Sequence, residues 1–195
     1  MTTLRRQLVQ QELQKDQFNQ LITSNETTRQ VDGIGAVVIR PGDIVVESKE
    51  SDNCFFLLAG QHTSIVQGKN ETRILGAPGA TVARQSIFRG RCIVEGLRFL
   101  STADGNNRSA PLVRLDNNAT VVFQDCIFER TVLDSADWIS MTSGCKLHLI
   151  GCTFVGTPAT GECVANAGPV ANAGVWAANL TGRPIGANTT VLFLT

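Results

Sequence analysis

From residue 33 onward, short apolar, β-rich runs alternate with turn residues. Ala36-Val-Val-Ile39, Cys92-Ile-Val-Glu95, Val121-Val-Phe-Gln124 and Leu147-His-Leu-Ile150 are such runs. Pro41-Gly-Asp43, Ala77-Pro-Gly79, Asp104-Gly-Asn-Asn107 and Asp116-Asn-Asn118 interrupt them. Runs this short, rich in β-branched and aromatic residues and bounded by Gly, Pro, Asn and Asp, predict strands. Residues 32–195 are therefore expected to form an all-β body. Residues 1–31 follow a different pattern. Leu4, Leu8, Gln11, Lys15, Phe18 and Ile22 recur at alternating intervals of four and three, in a stretch with no Gly or Pro before residue 31. That spacing predicts an N-terminal α-helical arm, with polar residues at two of its six seam positions. Leu4, Leu8, Phe18 and Ile22 are its candidate assembly contacts, and residues 25–30 read as a connector.

Within the body, three segments align without gaps: Cys92 to Phe99, Val121 to Phe128 and Leu147 to Phe154. Four columns are apolar throughout: Cys92/Val121/Leu147, Val94/Phe123/Leu149, Leu97/Cys126/Cys152 and Phe99/Phe128/Phe154. Between the second and third columns lie Glu95-Gly96, Gln124-Asp125 and Ile150-Gly151, each ending on a residue suited to a tight bend. A strand, a bend and a second strand, repeated with like residues above like, predict a parallel β-helix. Each rung leaves its apolar side uncovered until a neighbour stacks on it. At about 25 residues per rung, the body has room for about six. The inward columns become core ladders, with Leu97, Cys126 and Cys152 forming one and Phe99, Phe128 and Phe154 another. Cys54-Phe-Phe56 and Val191-Leu-Phe193 look like further second strands.

Composition narrows the function. Charged residues make up 17% of the chain, and the formal net charge is zero. This does not suit a basic nucleic-acid binder. No run is long and apolar enough to predict a membrane span, and residues 1–20 lack the apolar centre of a signal peptide. Six cysteines in 195 residues are too sparse for a disulfide scaffold, so reduced thiols are expected.

Candidate chemistry is thin. Paired carboxylates for cutting sugars could come from Asp125 with Glu129, or from Asp134 with Asp137 beside Trp138, whose ring could stack on a sugar. The turn and loop readings of these residues compete with that one. Cys145, Cys152 and Cys163 lack the short paired spacing of zinc ligands, and His62 and His148 stand apart from them. No cofactor is expected.

The rung motif resembles the right-handed parallel β-helix (pectate-lyase-like) modules of bacteriophage virion proteins. The resemblance rests on residues 93–99, 122–128 and 148–154, and on the Thr181 to Leu194 ending. It implies a homotrimer, carried on the virion and assembled in the host cytoplasm, whose N-terminal arm anchors it to other virion proteins of the capsid or tail. A non-enzymatic capsid decoration or head-fibre protein fits the chain length best. The alternative is a tail-associated receptor-binding or polysaccharide-degrading module, with a host surface glycan as its ligand. Alternation gives a separate reason to expect a trimer. Ile93, Val122, Ile127 and His148 fall on outward positions, and stacked apolar residues there would form a face for other copies.

Overall fold

The computed structural model describes residues 28–31, 34–42, 45–46, 54–68, 71–101, 110–130, 138–142, 144–156, 164–166, 174–178 and 191–193. Every element among them is a strand, and the strands form three sheets. The long sheet has nine: Thr28–Val31, Ile34–Ile39, Cys54–Leu57, Thr72–Gly76, Arg91–Glu95, Thr120–Gln124, Lys146–Ile150, Gly174–Ala178 and Val191–Phe193. The second sheet holds Gly60–His62, Ala80–Val82, Arg98–Ser101, Ile127–Arg130 and Thr153–Val155. The third holds Val45–Val46, Ile65–Val66, Ser86–Phe88, Val113–Leu115, Ile139–Met141 and Val164–Asn166. From Cys54 to Asn166 the chain visits long, second and third sheet in turn, five times over. Stacked sheets of parallel strands in this order are compatible with a parallel β-helix. The helical arm lies outside the described residues.

The aligned columns are the register of the structure. Cys92 pairs with Val121 and Val121 with Leu147, Val94 with Phe123 and Phe123 with Leu149, and Phe99 with Phe128 and Phe128 with Phe154. All nine side chains are buried. The bend between them needs a left-handed backbone, which Gly96 (φ 70°), Asp125 (φ 51°) and Gly151 (φ 62°) provide. Glycine adopts it without steric cost, and Asp is among the few other residues that tolerate it. Hydrogen bonding continues through the bend: Gly96 N–H donates to Gln124 O at 3.0 Å, and Asp125 N–H donates to Ile150 O at 2.8 Å.

The core lies where the three sheets face one another. Phe99, Phe128 and Phe154 stack nearly parallel, with centroids 5.2 and 4.9 Å apart. Phe123 of the long sheet meets Phe88 of the third edge-on at 5.6 Å, and Phe99 and Phe128 of the second at 5.6 and 5.2 Å. Cys126 and Cys152 are buried free thiols in the bend column. Each sulfur reaches a carbonyl of the preceding circuit: Cys126 Sγ is 3.5 Å from Val94 O, and Cys152 Sγ is 3.3 Å from Phe123 O. A thiol there fills a small apolar slot and also supplies a weak donor. Burial pushes the Cys126 thiol above its ordinary pKa.

Circuit length varies more widely than the 29 and 26 residues between the aligned segments. Phe55 pairs with Ile74, nineteen residues on, and Ile74 with Val94, twenty on. Val94 pairs with Phe123, twenty-nine on. The added length falls between the second and third sheets. Three residues separate Val82 from Ser86, whereas eleven separate Ser101 from Val113. Loops there grow without disturbing either strand. Cys54–Leu57 and Val191–Phe193, expected as second strands, belong to the long sheet, with Phe55 in the column of Val94. Thr28–Val31, partly assigned to a connector, is a strand antiparallel to Ile34–Ile39. An added strand occupies backbone groups that the first parallel strand would otherwise leave open. Asp32-Gly33, between the two, is a dipeptide favoured in two-residue hairpins.

Two outcomes test this packing. Phe128→Ala empties the middle of the ring stack and should cost about 3–5 kcal/mol in urea unfolding. Gly156→Ala should cost more than Gly151→Ala. A Cβ at Gly156 (φ 101°) would overlap the backbone carbonyl of Arg130, whereas one at Gly151 would meet only the movable end of the Asp125 side chain. The left-handed backbone alone accounts for about 1–2 kcal/mol at position 151. Equal losses at the two glycines would mean that the Arg130 backbone is free to move.

Candidate functional site

Strand alternation gives the long sheet an outer face with two largely apolar columns, beside a polar third of Arg91, Thr120 and Lys146. Cys54, Arg73, Ile93, Val122 and His148 follow one another in register, and the pairing continues through Trp176 and Leu192. Val38, Phe56, Leu75, Glu95, Gln124 and Ile150 form the second column. Their neighbours along each strand, such as Phe55, Ile74, Val94, Phe123 and Leu149, line the core. Most side chains of both columns are apolar. Arg73 and Glu95 form an ion pair at 3.3 Å, which places a partly exposed charge pair between the columns.

Three of the expected face residues therefore come together. Ile93 is 41% exposed, and Val122 and His148 beside it are half-buried. Ile127 does not join them. It is 38% exposed but lies on the second sheet, with Arg98 and Thr153 as its register partners. The bend at Asp125 turns the chain onto another face, so alternation counted along the sequence loses the direction there. Val155, 43% exposed, is on the same second sheet, paired with Glu129. The exposed apolar residues thus form two patches on two sheets. Leu4, Leu8, Phe18 and Ile22 lie outside the described residues.

The second column was not anticipated, although the sequence carries a signal for it. Cys54-Phe-Phe-Leu-Leu58 is apolar without alternation. A strand that is apolar on both sides is one covered on both faces.

The residues singled out for chemistry have structural surroundings. Glu129 accepts two hydrogen bonds from the Arg98 guanidinium. Asp125 forms the bend. Trp138 is buried and packs edge-on against Phe154 at 5.5 Å, so its ring is core and not a sugar platform. His62 is buried, with Nε2–H donating to Leu58 O at 2.8 Å. Cys145 and Cys152 are buried free thiols. Asp134, Asp137 and Cys163 lie outside the described residues. Among the described residues, no three His, Cys, Asp or Glu side chains gather into a metal-binding group, and no helix is long and apolar enough to cross a membrane.

His148 gives the face a pH dependence. Burial lowers its pKa from the ordinary 6.5, and neighbouring Lys146 adds to the shift. A base with a lowered pKa in the folded state takes up protons more readily when unfolded. Its contribution is complete above the unfolded value and is lost as pH falls through 6.5 towards the lowered folded value. Urea midpoints at pH 7.5 and 5.5 should differ more for the native protein than for His148→Gln. Equal differences would show that His148 is fully solvated.

No protein-family model matches the chain, and no curated protein or solved structure is significantly similar to it.

Proposed function

We propose that this chain is a non-enzymatic structural protein of a bacteriophage particle, a trimeric capsid decoration or head-fibre type protein attached through its N-terminal arm. Its body on this reading is a right-handed parallel β-helix, the hand that parallel crossover connections strongly prefer. The observation that carries the proposal is the apolar step that Ile93 and Val122 form on the outer face of the long sheet, between Arg73 and His148. Ile93 stands at 41% exposure, in register with Val122, on a regular stack whose other face is core. Stacked apolar residues left open on a rigid face mark an interaction surface.

The separate position of Ile127 supports a ring better than one shared stripe would. In a closed ring each chain offers one patch to the next and a different patch to the previous one. Ile93 with Val122 on the long sheet, and Ile127 with Val155 on the second, can serve as those two patches. Patches on two faces of a three-sheet stack suit a ring of three. The four ion pairs known among the described residues, Arg73–Glu95, Arg91–Glu71, Arg98–Glu129 and Arg114–Asp116, all involve side chains at least partly open to solvent. Pairs of this kind contribute little each, and all four are made within one chain.

Light scattering at micromolar concentration should report a mass near three chains. Val122→Asp and Ile127→Asp should each lower it, because each removes one half of the same contact. A stable monomer would refute the trimer. A mass sensitive to Val122 but not to Ile127 would replace the two-patch ring with another contact.

A further inference from the structure

The outer face of the long sheet is closed at one end and open at the other. In one column, Cys54 is 3% exposed and Ile93, two strands on, is 41%. In the other, Val38 and Leu75 are buried, while Glu95, Gln124 and Ile150 are half-buried. Ala36, also on the outer side, is 0% exposed. These residues form two small clusters separate from the main core, Ala36 with Cys54 and Leu75, and Val38 with Leu58. Phe56 packs against both. Neighbours on one face can shelter a small residue such as Ala36 or Cys54, but Val38 and Leu75 are large side chains and are buried as well. Ile93 is flanked on both sides in its column and is still open.

We propose that residues 1–27 of the same chain form this roof, with apolar side chains from Leu4 to Ile22 laid across the outer face of the first three parallel strands. The chain enters the sheet beside the closed patch, since Thr28 pairs with Val37. From there to the strand of Leu75 is three strand spacings, about 15 Å, which about ten helical residues would span. Residues 47–53, which precede Cys54 in the chain, have the wrong chemistry, being Glu-Ser-Lys-Glu-Ser-Asp-Asn. Residues 4–22 contain Leu4, Leu8, Val9, Leu13, Phe18, Leu21 and Ile22 among six glutamines. On a helix Leu4, Leu8, Phe18 and Ile22 share one side, with Gln11 among them, and can cover the patch while the other glutamines lie away from it. The inference goes beyond the proposed function and does not depend on it. An arm seated this way would present its glutamine face, not its apolar one, to another virion protein.

Cys54 is a native reporter beneath the roof. In the full chain under native conditions, Cys54 should resist maleimide, with sites read by peptide mass spectrometry. Leu8→Asp and Phe18→Asp should raise its labelling rate at least tenfold while leaving Cys126 and Cys152 protected. Reactive Cys54 in the native protein would overturn the roof. Unchanged protection in both variants would overturn the arm as its source. A second measurement decides the matter if the aspartate variants open every thiol. Cysteine is placed at Leu8, Phe18 or Ile22 in turn and joined to Cys54 by a short bifunctional thiol reagent. A product at the mass of one chain is the expected result. A product at the mass of two chains would show that a second copy supplies the roof, and no product at any of the three positions would refute the contact.

Discussion

In-register stacking of parallel strands is the constraint on which the rest of the structure depends. Once Val94 sits beside Phe123 and Phe123 beside Leu149, every residue one step away is fixed to the other face. The core, the bend column and the outer columns all follow from that single alignment. The shift that would move Ile93 inward would also expose Cys92 and Val94. Register is therefore enforced by many side chains together, and most firmly where large rings stack. Phe123 touches rings from both other sheets, so its position couples the three faces of the stack.

The same constraint explains where the sequence was easy to read. Between residues 92 and 154 the columns repeat in chemistry as well as position: Phe above Phe, Cys above Cys, and a Gly or Asp at each left-handed bend. The earlier circuits keep the positions but change the residues. Ile74 lies below Val94, and Phe55 below Ile74. They are also shorter, at nineteen and twenty residues, because the loops between the second and third sheets are short there. Self-similarity at one period could not find circuits of another period. A search for inward apolar pairs spaced by two, with the turn length left free, would have found them.

The outer face was half legible for a related reason. Ile93, Val122 and His148 could be placed because they lie on strands of one sheet, where alternation holds. Ile127 could not, because the bend at Asp125 intervenes. Trp138 reads from the sequence as a sugar platform or part of a loop, and its burial against the Phe154 ring makes it core instead. Val38, Phe56 and Leu75 escaped notice because their strands are apolar on both faces, which erases the alternation that marks an outer column.

That two-sided apolar character separates the long sheet from its neighbours. On the second sheet, the outer column that passes through Arg98, Ile127 and Thr153 mixes charged, apolar and hydroxyl side chains. On the third, Ile87, Arg114 and Ser140 do the same. Water can cover most of such faces, leaving Ile127 and Val155 as the exposed large apolar residues of the second. The long sheet carries Val38, Cys54, Phe56, Leu75, Ile93, Val122 and Ile150 outward, and water covers these poorly. Arg73, Glu95, Gln124 and His148 share that face further along, so apolar cover is needed at the end where Val38, Cys54 and Leu75 are buried and, beyond it, only around Ile93 and Val122. On the proposed trimer reading, the open stretch around Ile93 and Val122 is where a second copy would complete the layer, and its short length along the stack sets how much of that partner would be buried there.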